Sequence, residues 1–533
     1  MHRTSSTGIS FLLFFFAVIF IESCEDVPRN RSHATVSAAS IIQGKELAAL
    51  YCQSCHVLPD PAQLNAASWE NGVLPNMGPR LGIFAYNFQE YPSQRYDPKL
   101  DSNYYPKKPV LNAEEWQHII DYYTATSPDT LPPQHRRQAI RMNLSLFDAQ
   151  ASPLQYTNSM TSFVKITGGD SLALLIISDA ARKQTYFLNS VLQLTDSVPT
   201  SGPIVDMQLF QNTILATDIG VLNPNNGTFG KAVYFQKNEN GGWKEDSNSV
   251  FKNLRRPVQV SSVDLNNDGK KDYVTCEFGY LTGSLCWMES KANGGYTRHV
   301  LRPLPGAVKA CFQDYNHDGR MDIWVLFAQG EEGIFLYTNN GDGTFREQQV
   351  LRFPPMNGSS YFELADFNND GYSDIVYTCG DNADYSPVLK PYHGVYLFLN
   401  DGKNTFTQAF FFPIHGCYKA VARDFDKDGD LDIATISYFA DYAQQPEESF
   451  VYLENAGNFS FTPYSMEAAE KGRWLTMDAG DVDGDGWTDL VLGNFCLGPT
   501  ISKSKYDWRK SPPFLFLKNK GNSKSIIKAS GIK

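Results

Sequence analysis

Three residues close together in the sequence have side chains that can do chemistry as a group: Cys52, Cys55 and His56, in the stretch CQSCH. Two thiols at this spacing followed by an imidazole suit a zinc ion, a redox-active disulfide or a covalently attached haem. A structural zinc site needs a second CxxC or a histidine pair, and residues 57–130 contain neither. A redox disulfide usually follows a strand, whereas GKELAALY before the motif predicts a helix. The sequence therefore favours haem, with the disulfide as second choice.

The haem interpretation assigns a role to each residue of the motif and requires one further ligand. Cys52 and Cys55 are predicted to form thioethers with the haem vinyl groups, and His56 to be one axial ligand of the iron. Met77, in GVLPNMGPR, is the only methionine between residues 24 and 130 and is the predicted second axial ligand. His/Met ligation favours a fairly positive reduction potential.

Two histidines, His33 and His118, are the alternatives to this methionine. The stretch LNAEEWQHIIDYYTATSP predicts a helix, because its apolar residues recur at i, i+3, i+4 and i+7 from Trp116. Asn112 begins this helix and Glu115 follows three residues later, which is a capping arrangement. His118 falls on the polar side of the helix, where we expect it to be solvated.

Residues 36–130 resemble a class I c-type cytochrome, with the CxxCH motif, the methionine and the terminal helix in matching order. The resemblance implies one haem c and one-electron transfer. The sequence departs from the compact family pattern in a Tyr- and Pro-rich insertion, residues 84–109. We expect this insertion to cover the haem edge or contact a partner, and an ordered surface loop is the other interpretation.

Residues 1–24 predict export. His2 and Arg3 precede an apolar core at residues 11–21, which is shorter than the ~20 residues of a bilayer-spanning helix. The residues that end at Cys24 resemble the lipobox of bacterial lipoproteins, in which this cysteine is lipidated. We expect an exported protein that a lipid anchors to a bacterial membrane, facing the periplasm or the cell surface. Plain signal cleavage is the alternative.

An acidic motif of the form D-apolar-[ND]-x-D-G-x-x-D recurs five times in the rest of the chain. Oxygen-bearing side chains at positions 1, 3, 5 and 9, with glycine at position 6, suit Ca²⁺ and its roughly six to eight oxygen ligands. We therefore expect about five structural calcium ions, which would bring the formal net charge from −12 to −2. The predicted ligands are Asp264, Asn266, Asp268 and Asp272; Asp314, Asn316, Asp318 and Asp322; Asp366, Asn368, Asp370 and Asp374; Asp424, Asp426, Asp428 and Asp432; and Asp481, Asp483, Asp485 and Asp489.

The residues after each loop predict strands instead of the helix of an EF-hand. Glutamate is absent from position 12 of all five loops, and short β-branched or aromatic runs such as IWVLF follow them. The loops begin 50 to 58 residues apart, a period that suits one four-stranded propeller blade. A strand followed by a Gly- and Asn-rich turn recurs at the same period. Residues 143–533 therefore predict about seven blades, two of them without calcium.

This half of the chain resembles the calcium-loop propellers known as FG-GAP or VCBS repeats, which are related in pattern to the head of integrin α chains. The resemblance is strong over residues 260–495 and weak over residues 143–255. It implies structural calcium and an exported or surface setting, but no particular reaction.

The sequence thus predicts two domains: a small all-α cytochrome c domain followed by an all-β propeller of about seven four-stranded blades. The predicted boundaries are 1–23 for the signal peptide, 24–35 for a tether, 36–130 for the cytochrome c domain, 131–142 for a linker and 143–533 for the propeller.

Other kinds of site have less support in the sequence. It contains no GxSxG, HExxH or GxxxxGK[ST] motif, and its acidic balance without basic runs argues against nucleic acid. Cys276 and Cys286 flank a predicted hairpin. The sequence leaves open whether they form a cross-strand disulfide or remain two buried thiols. His393, His415 and Arg423 are candidates for a ligand site on one propeller face, although solvated loop residues are favoured.

Three functions remain, and the electron carrier is favoured. In this hypothesis the haem exchanges single electrons with a redox partner protein or dehydrogenase, and the propeller docks to that partner or to carbohydrate. In the second, the propeller is an oxidoreductase of sugar or alcohol type that passes electrons to the cytochrome. In the third, the protein is a non-redox adhesion or binding lipoprotein.

Overall fold

The computed structural model of this chain describes residues 36–167, 175–239, 241–383 and 385–521. The predicted signal peptide, Cys24 and His33 lie outside these residues. A helical region at residues 36–130 is followed by seven larger antiparallel sheets. No helix in the described ranges is both long and apolar enough to cross a membrane.

The helical region contains two longer helices and several short turns of helix. The α-helices are α1 at Ala38–Tyr51, α2 at Ala66–Ser68, α3 at Leu74–Met77 and α4 at Ala113–Thr126. Turns of 3-10 or π helix are Cys52–Ser54, Pro61–Gln63, Trp69–Val73 and Gly78–Leu81. The predicted cap of α4 is confirmed: Asn112 Oδ1 accepts from the Glu115 backbone N–H at 2.9 Å, and Glu115 Oε2 accepts from that of Asn112 at 2.8 Å.

Helices α1 and α4 pack against each other at Gly44. A Cβ atom built on Gly44 would lie 1.9 Å from the backbone carbonyl oxygen of His118, so only glycine permits this approach. The Ser40 hydroxyl lies 2.6 Å from His118 Nδ1 and 2.5 Å from Asp121 Oδ2. The prediction that His118 is solvated is wrong, because the polar side of α4 at this point contacts α1.

The insertion at residues 84–109 contains a short hairpin, Ala85–Tyr86 paired with Gln89–Glu90. The helical region is therefore not purely α-helical as predicted. The remainder of the insertion is irregular, and its Asp97 and Asp101 side chains cap local turns at 2.8 Å. An ordered segment of this kind can position side chains against a neighbouring surface.

The predicted propeller is confirmed, with seven blades whose strands pair in chain order, except that blade 7 takes its fourth strand from the start of the propeller sequence. Blades 1 to 3 comprise Thr161–Ile166, Leu175–Asp179, Gln184–Leu188 and Leu194–Pro199; Ile204–Phe210, Thr213–Asp218, Gly230–Lys237, Trp243–Glu245 and Phe251–Leu254; and Pro257–Val263, Asp272–Glu277, Ser284–Ser290 and Tyr296–Arg302. Blades 4 and 5 comprise Ala307–Gln313, Asp322–Phe327, Gly333–Asn339 and Phe345–Arg352; and Ser359–Ala365, Asp374–Cys379, Gly394–Asn400 and Phe406–Pro413. Blades 6 and 7 comprise Cys417–Arg423, Asp432–Ser437, Phe450–Asn455 and Phe461–Tyr464; and Trp474–Gly480, Asp489–Asn494, Phe514–Asn519 and Phe147–Ala151.

Blade 7 is completed by a strand from the beginning of the propeller sequence. Phe147–Ala151 pairs antiparallel with Phe514–Asn519, which joins the two ends of the ring. This closure removes an open sheet edge, a common point of aggregation. Blade 2 differs from the four-strand prediction, because Phe251–Leu254 also pairs with Gly230–Lys237 as a fifth strand.

The antiparallel order defines two faces of the propeller. All five acidic loops connect the first strand of a blade to the second, in blades 3 to 7, and the turns between third and fourth strands lie on the same side. We call this side the calcium-loop face. The loops between second and third strands, and the connections between blades, lie on the opposite side, the docking face.

The two candidate disulfide residues lie in adjacent strands but do not face each other. Cys276 pairs with Leu285, and Cys286 pairs with Thr275, so the two thiols point to opposite faces of the sheet. Both cysteines are buried and free. The disulfide interpretation is therefore wrong and the buried-thiol interpretation is confirmed.

We predict that Gly44→Ala destabilises the helical region. Alanine favours a helix over glycine by about 1 kcal/mol, but its Cβ would meet the His118 carbonyl oxygen at 1.9 Å. The clash is therefore expected to lower the free energy of unfolding by at least ~2 kcal/mol in net terms. Amide hydrogen exchange of α1 and α4 measures this, with Gln43→Ala on the exposed side of α1 as control. Equal protection in both variants would contradict the crossing geometry.

Candidate haem and calcium sites

The CxxCH motif lies where α1 ends. Cys52 begins the 3-10 turn that follows α1, and the Cys55 backbone N–H donates to the Cys52 carbonyl oxygen at 3.5 Å. Cys52 is half-buried and Cys55 is exposed, and neither forms a disulfide. The helix thus presents two free thiols and an imidazole within one turn, next to its crossing with α4.

His56 has one ring nitrogen fixed by the backbone. Its Nδ1 lies 2.8 Å from the carbonyl oxygen of Val57. Because a carbonyl oxygen only accepts, Nδ1 carries the proton and Nε2 keeps its lone pair, which is the tautomer that binds a metal through Nε2. Burial lowers the pKa of His56, and the positive charges of Arg352 and Arg80 lower it further. The imidazole is therefore held neutral, as a ligand must be.

The alternatives to haem fit this geometry less well. Burial raises the pKa of the Cys52 thiol to about 11, with a contribution from Cys55, whereas redox-active cysteines have lowered pKa values. A zinc site requires its ligand atoms to converge on one point. Among the described residues, the groups of three His, Cys, Asp or Glu side chains that converge in this way belong to the acidic loops of blades 6 and 7. The donor set at residues 52–56 fits a haem better than a disulfide or zinc.

Met77 is the last residue of α3, and its side chain is half-buried. The segment Leu74–Leu81 that contains it is a turn of α helix followed by a 3-10 turn. Gly82, with a φ of 77°, ends this turn in the left-handed conformation that glycine tolerates. The role of Met77 as the second axial ligand stays a prediction.

The insertion contacts both the helical region and the propeller. Arg80 donates to the hydroxyl of Tyr104, and its guanidinium lies 5.1 Å from the centre of that ring. Burial raises the pKa of Tyr104 to about 12. Asn226 of blade 2 donates to Gln94 at 2.7 Å and to Asp97 at 3.0 Å. The insertion therefore bridges the helical region and the docking face, and its covering of a haem edge stays a prediction.

The five acidic loops share one backbone geometry. The aspartate at position 1 accepts a hydrogen bond through Oδ2 from the backbone N–H of the position 6 glycine, at 2.7 to 3.1 Å in every loop. The glycine at position 6 has a positive φ in all five loops. Position 4 also has a positive φ, at Asn267, His317, Asn369, Lys427 and Gly484, which the sequence pattern did not indicate. Both left-handed residues curl the loop so that its carboxylates face inward.

The aspartate at position 9 is fully buried in all five loops and connects three parts of its blade. Its Oδ2 accepts from the backbone N–H at position 2, at 2.9 to 3.4 Å. Its Oδ1 accepts from the backbone N–H of the last residue of the third strand, at 2.8 to 2.9 Å. This residue is therefore a structural anchor as well as a candidate calcium ligand.

Sequence reasoning missed the role of the asparagine that ends the third strand in blades 4 to 7. Its Nδ2 donates to the carbonyl oxygen at position 8 of the loop, at 3.1 to 3.2 Å. The recurring Asn in the Gly- and Asn-rich turns was the available signal. The four residues are Asn339, Asn400, Asn455 and Asn519.

The loops of blades 6 and 7 carry the densest negative charge. Carboxylate oxygens of Asp424, Asp426 and Asp432 lie within 4.8 Å of one another, as do those of the three aspartates at 481, 483 and 485. Burial, together with the neighbouring carboxylates, raises the pKa of Asp432 to about 7 and the pKa of Asp426 to about 6. Bringing these charges together without a cation costs free energy, which a divalent ion would offset.

The two histidines proposed for a ligand site are buried instead of solvated. His393 is 0% exposed and His415 is 5% exposed. His415 Nδ1 lies 3.0 Å from Oε1 of the buried Glu448, which also pairs with Arg136 from the linker. The expectation of solvated loop residues is wrong here, because the linker covers this part of the docking face.

The innermost strands bring charged side chains together in the central channel. Arg423 lies 2.6 Å from Glu363, and Lys309 donates to the Tyr361 hydroxyl at 3.1 Å. Lys419 lies 4.7 Å from the centre of the Tyr361 ring. Burial raises the pKa of Asp206 to about 6, against the lowering effect of the surrounding lysines. These six residues come from the first strands of blades 2, 4, 5 and 6, so no local sequence motif indicated the cluster.

Comparison with known proteins agrees with the repeat structure. Residues 314–377 match the FG-GAP-like repeat family, which covers the acidic loop of blade 4 through the second strand of blade 5. Cartilage acidic protein 1 of Xenopus tropicalis is 28% identical over 325 residues, covering 52% of this chain and 46% of that protein. The Homo sapiens protein is 25% identical over 316 residues, covering 52% and 45%. The chain spans about half the length of the curated relatives it matches.

The comparison with solved structures gives matches of low similarity. Virginiamycin B lyase from Staphylococcus aureus shares 12% sequence identity at a TM-score of 0.43, covering 70% of this chain and 99% of that one. The N-terminal domain of Nup159 shares 11% identity at a TM-score of 0.39, covering 72% and 99%. Similarity at this level carries no information on function.

We predict that calcium stabilises the propeller, and more strongly at higher pH. The raised pKa values of Asp432, Asp426 and Asp489, at about 7, 6 and 6, mean that the calcium-free folded state keeps protons that the unfolded chain loses near pH ~4. Its stability should therefore fall as pH rises from ~4 to ~7. Bound Ca²⁺ displaces these protons and stabilises by ~2.7 kcal/mol per site at 100 times Kd. Calorimetry with and without EDTA should show a larger loss at pH 8 than at pH 5.5.

Asp428→Asn gives a specific test in one loop. Asp428 occupies position 5, is exposed, and accepts from the Asp430 backbone N–H at 3.0 Å, which an asparagine oxygen can also do. The variant should bind one calcium ion fewer by atomic absorption. Asp430→Asn in the same loop removes a charge at a position outside the ligand pattern and should keep the wild-type count. Equal counts in the two variants would contradict the assignment.

Proposed function

We propose that this protein is an exported, lipid-anchored c-type cytochrome that transfers single electrons, with a calcium-stabilised propeller that docks it to a partner. Cys52 and Cys55 would hold one haem c through thioether bonds, and His56 and Met77 would bind its iron. The haem supplies one-electron redox chemistry when bound. The chain's own residues hold the group and set its environment.

The state of His56 is the observation that carries this proposal. Its Nδ1–H donates to the Val57 carbonyl oxygen at 2.8 Å, which leaves Nε2 as a neutral donor directly after two free thiols. A donor set of two thiols and one oriented imidazole matches covalent haem attachment. The crossing of α1 and α4 at Gly44 fixes the end of the helix that bears these groups.

The propeller serves as the docking module in this proposal. Its docking face contacts the helical region at blades 2 and 5 and the linker at blades 5 and 6. The calcium-loop face and the blade edges are therefore the surfaces assigned to a redox partner protein, a dehydrogenase or carbohydrate. The FG-GAP-like repeat at residues 314–377 and the similarity to cartilage acidic protein 1 support a binding role for the propeller without naming its ligand.

A second candidate function is an oxidoreductase in which the propeller oxidises a sugar or alcohol and the haem receives the electrons. The cluster of Lys309, Lys419, Tyr361 and Asp206 in the central channel favours it, because it gathers proton donors and acceptors in one place. Haem reduction by an aldose or alcohol without added dehydrogenase would favour this candidate over the electron carrier.

We predict that the full-length protein, produced in a host with c-type haem maturation, contains covalent haem. Dithionite reduction should give a sharp α band, and acid–acetone should not extract the haem. The oxidised protein should show a weak far-red band from the methionine–iron bond. This band should disappear in Met77→Ala, because the sulfur ligand is lost.

Met142→Ala is the matched control, since this methionine lies in the linker and is 44% exposed. It should leave the far-red band unchanged. Absence of haem from the wild-type protein would overturn the proposal and return the two cysteines to a thiol pair. A far-red band that persists in Met77→Ala would retain the haem but reject this residue as its ligand.

We predict that Cys24→Ser releases the protein from the membrane fraction. The serine hydroxyl cannot accept the thioether-linked lipid, so the variant should partition into the aqueous phase of a detergent phase separation. Ser23→Ala, which keeps a small residue before the cysteine, should stay in the detergent phase. Partition of Cys24→Ser with the detergent would contradict lipidation at this residue.

A further inference from the structure

The first strands of the seven blades surround the central channel and place equivalent residues at one level. In every blade, the third residue of the first strand pairs with the last residue but one of the second strand. Residues with the same pairing lie at the same height along the channel. We call this set the channel ring, and its members are Phe163, Asp206, Gln259, Lys309, Tyr361, Lys419 and Thr476.

The lysines of blades 4 and 6 converge on the tyrosine of blade 5, which lies between them. Lys309 donates to the Tyr361 hydroxyl at 3.1 Å, and its Nζ lies 4.4 Å from the centre of the ring. Lys419 Nζ lies 4.7 Å from the same ring centre. Contacts with one phenol therefore hold two ammonium groups close together in the channel.

Ion pairs neutralise the other cations that the first strands place near this level. Arg423 pairs with Glu363 at 2.6 Å, and Lys165 pairs with Asp478 at 3.2 Å. Within the described ranges, the two lysines of the channel ring form no ion pair, and the contacts of their ammonium groups are those with the tyrosine. Their charges therefore remain available to an anion.

Asp206, in blade 2, is the acidic member of the channel ring. Burial raises the pKa of Asp206 to about 6, and the positive charges of Lys309, Lys165 and Lys419 oppose this rise. At pH 7 the two lysines of the ring against this one aspartate leave the ring with a net charge of +1. Positive charge in a partly enclosed space favours the binding of a negative group.

The charged members of the ring keep accessible surface although they lie deep in the molecule. Asp206, Lys309 and Lys419 are half-buried, as is Tyr361. Neighbouring blades cover both faces of the first strands, so the accessible surface of these side chains faces the channel. The channel therefore has room for small polar molecules at the level of the ring.

An apolar cluster closes the docking-face end of the channel. Leu222, from the loop between the second and third strands of blade 2, packs with Tyr438 and Phe495 from the corresponding loops of blades 6 and 7. Tyr418 and Leu475, which precede the ring residues of blades 6 and 7, belong to the same cluster. The channel is therefore a blind pocket with an apolar floor, and a ligand would enter it from the calcium-loop face.

We propose that the central channel binds a small organic anion, whose carboxylate or phosphate group is held between Lys309 and Lys419. Charge-assisted hydrogen bonds from two ammonium groups are stronger than neutral ones, and a blind pocket screens them less than bulk water does. This inference goes beyond electron transfer and does not rest on the haem. It assigns the propeller a ligand site of its own.

Calorimetric titration of the full-length, calcium-saturated protein tests the inference, with inorganic phosphate and succinate as the two probes. At least one probe should bind as one molecule per chain, and the probe that binds more tightly identifies the anionic group. Lys309→Gln and Lys419→Gln should each weaken this binding at least ~tenfold, because each removes a charge-assisted hydrogen bond. Asp206→Asn should strengthen it about threefold, because it removes a repelling charge.

Lys244→Gln is the matched control, because it removes the same charge from an exposed residue on the fourth strand of blade 2. It should leave the affinity unchanged. The melting temperature of each variant reports whether the variant is folded. Lys419→Gln leaves the Lys309–Tyr361 hydrogen bond in place, so it carries the test if Lys309→Gln does not fold. Failure of both probes to bind the wild-type protein, or equal affinity in the wild type and Lys419→Gln, would overturn the inference, and neither result bears on the haem.

Discussion

The pairing of Phe147–Ala151 with Phe514–Asn519 closes the ring, and the positions of the other parts follow from it. A sheet that ended at Phe514–Asn519 would expose a hydrogen-bonding edge, which is unfavourable in water and prone to association. Because the closing strand comes from the start of the propeller sequence, the linker must run along blade 6 to reach it. Backbone hydrogen bonds from Arg141 to Pro463 at 3.0 Å and from Leu144 to Ser465 at 3.1 Å hold it there. This path of the linker places the helical region against the docking face.

The two candidate sites lie on opposite sides of the propeller. The acidic loops connect first and second strands, whereas the helical region contacts the loops between second and third strands on the opposite side. The acidic loops and the CxxCH motif are therefore separated by about the length of a strand. The position 9 aspartates fasten each loop to the third strand of its own blade. Calcium would therefore act on the haem site only through the stability of the blades, and not through direct electrostatics.

The linker adds a second fixed point near the docking face. Arg136 donates to the Pro413 carbonyl oxygen at 2.9 Å and pairs with Glu448, which His415 also contacts. A buried ion pair of this kind stabilises little by itself, but loss of one partner would leave a charge unpaired in the interior. The helical region is thus held on a short, anchored segment. In the proposed function this geometry keeps the haem at a constant distance from the propeller.

The sequence by itself determined the parts whose signals are local. The five acidic loops, the strands that follow them, the capped helix α4 and the helix before the CxxCH motif are present, because propensity, periodicity and turn chemistry act over a few residues. The blade period predicted seven blades for the same reason. The identity of the haem and calcium ligands was also suggested by residue type and spacing. Only the tertiary structure decided that Phe147–Ala151 closes blade 7, that His393 and His415 are buried, and that Phe251–Leu254 adds a fifth strand to blade 2. These features depend on contacts between residues far apart in the chain, and no local pattern specifies which distant surfaces meet.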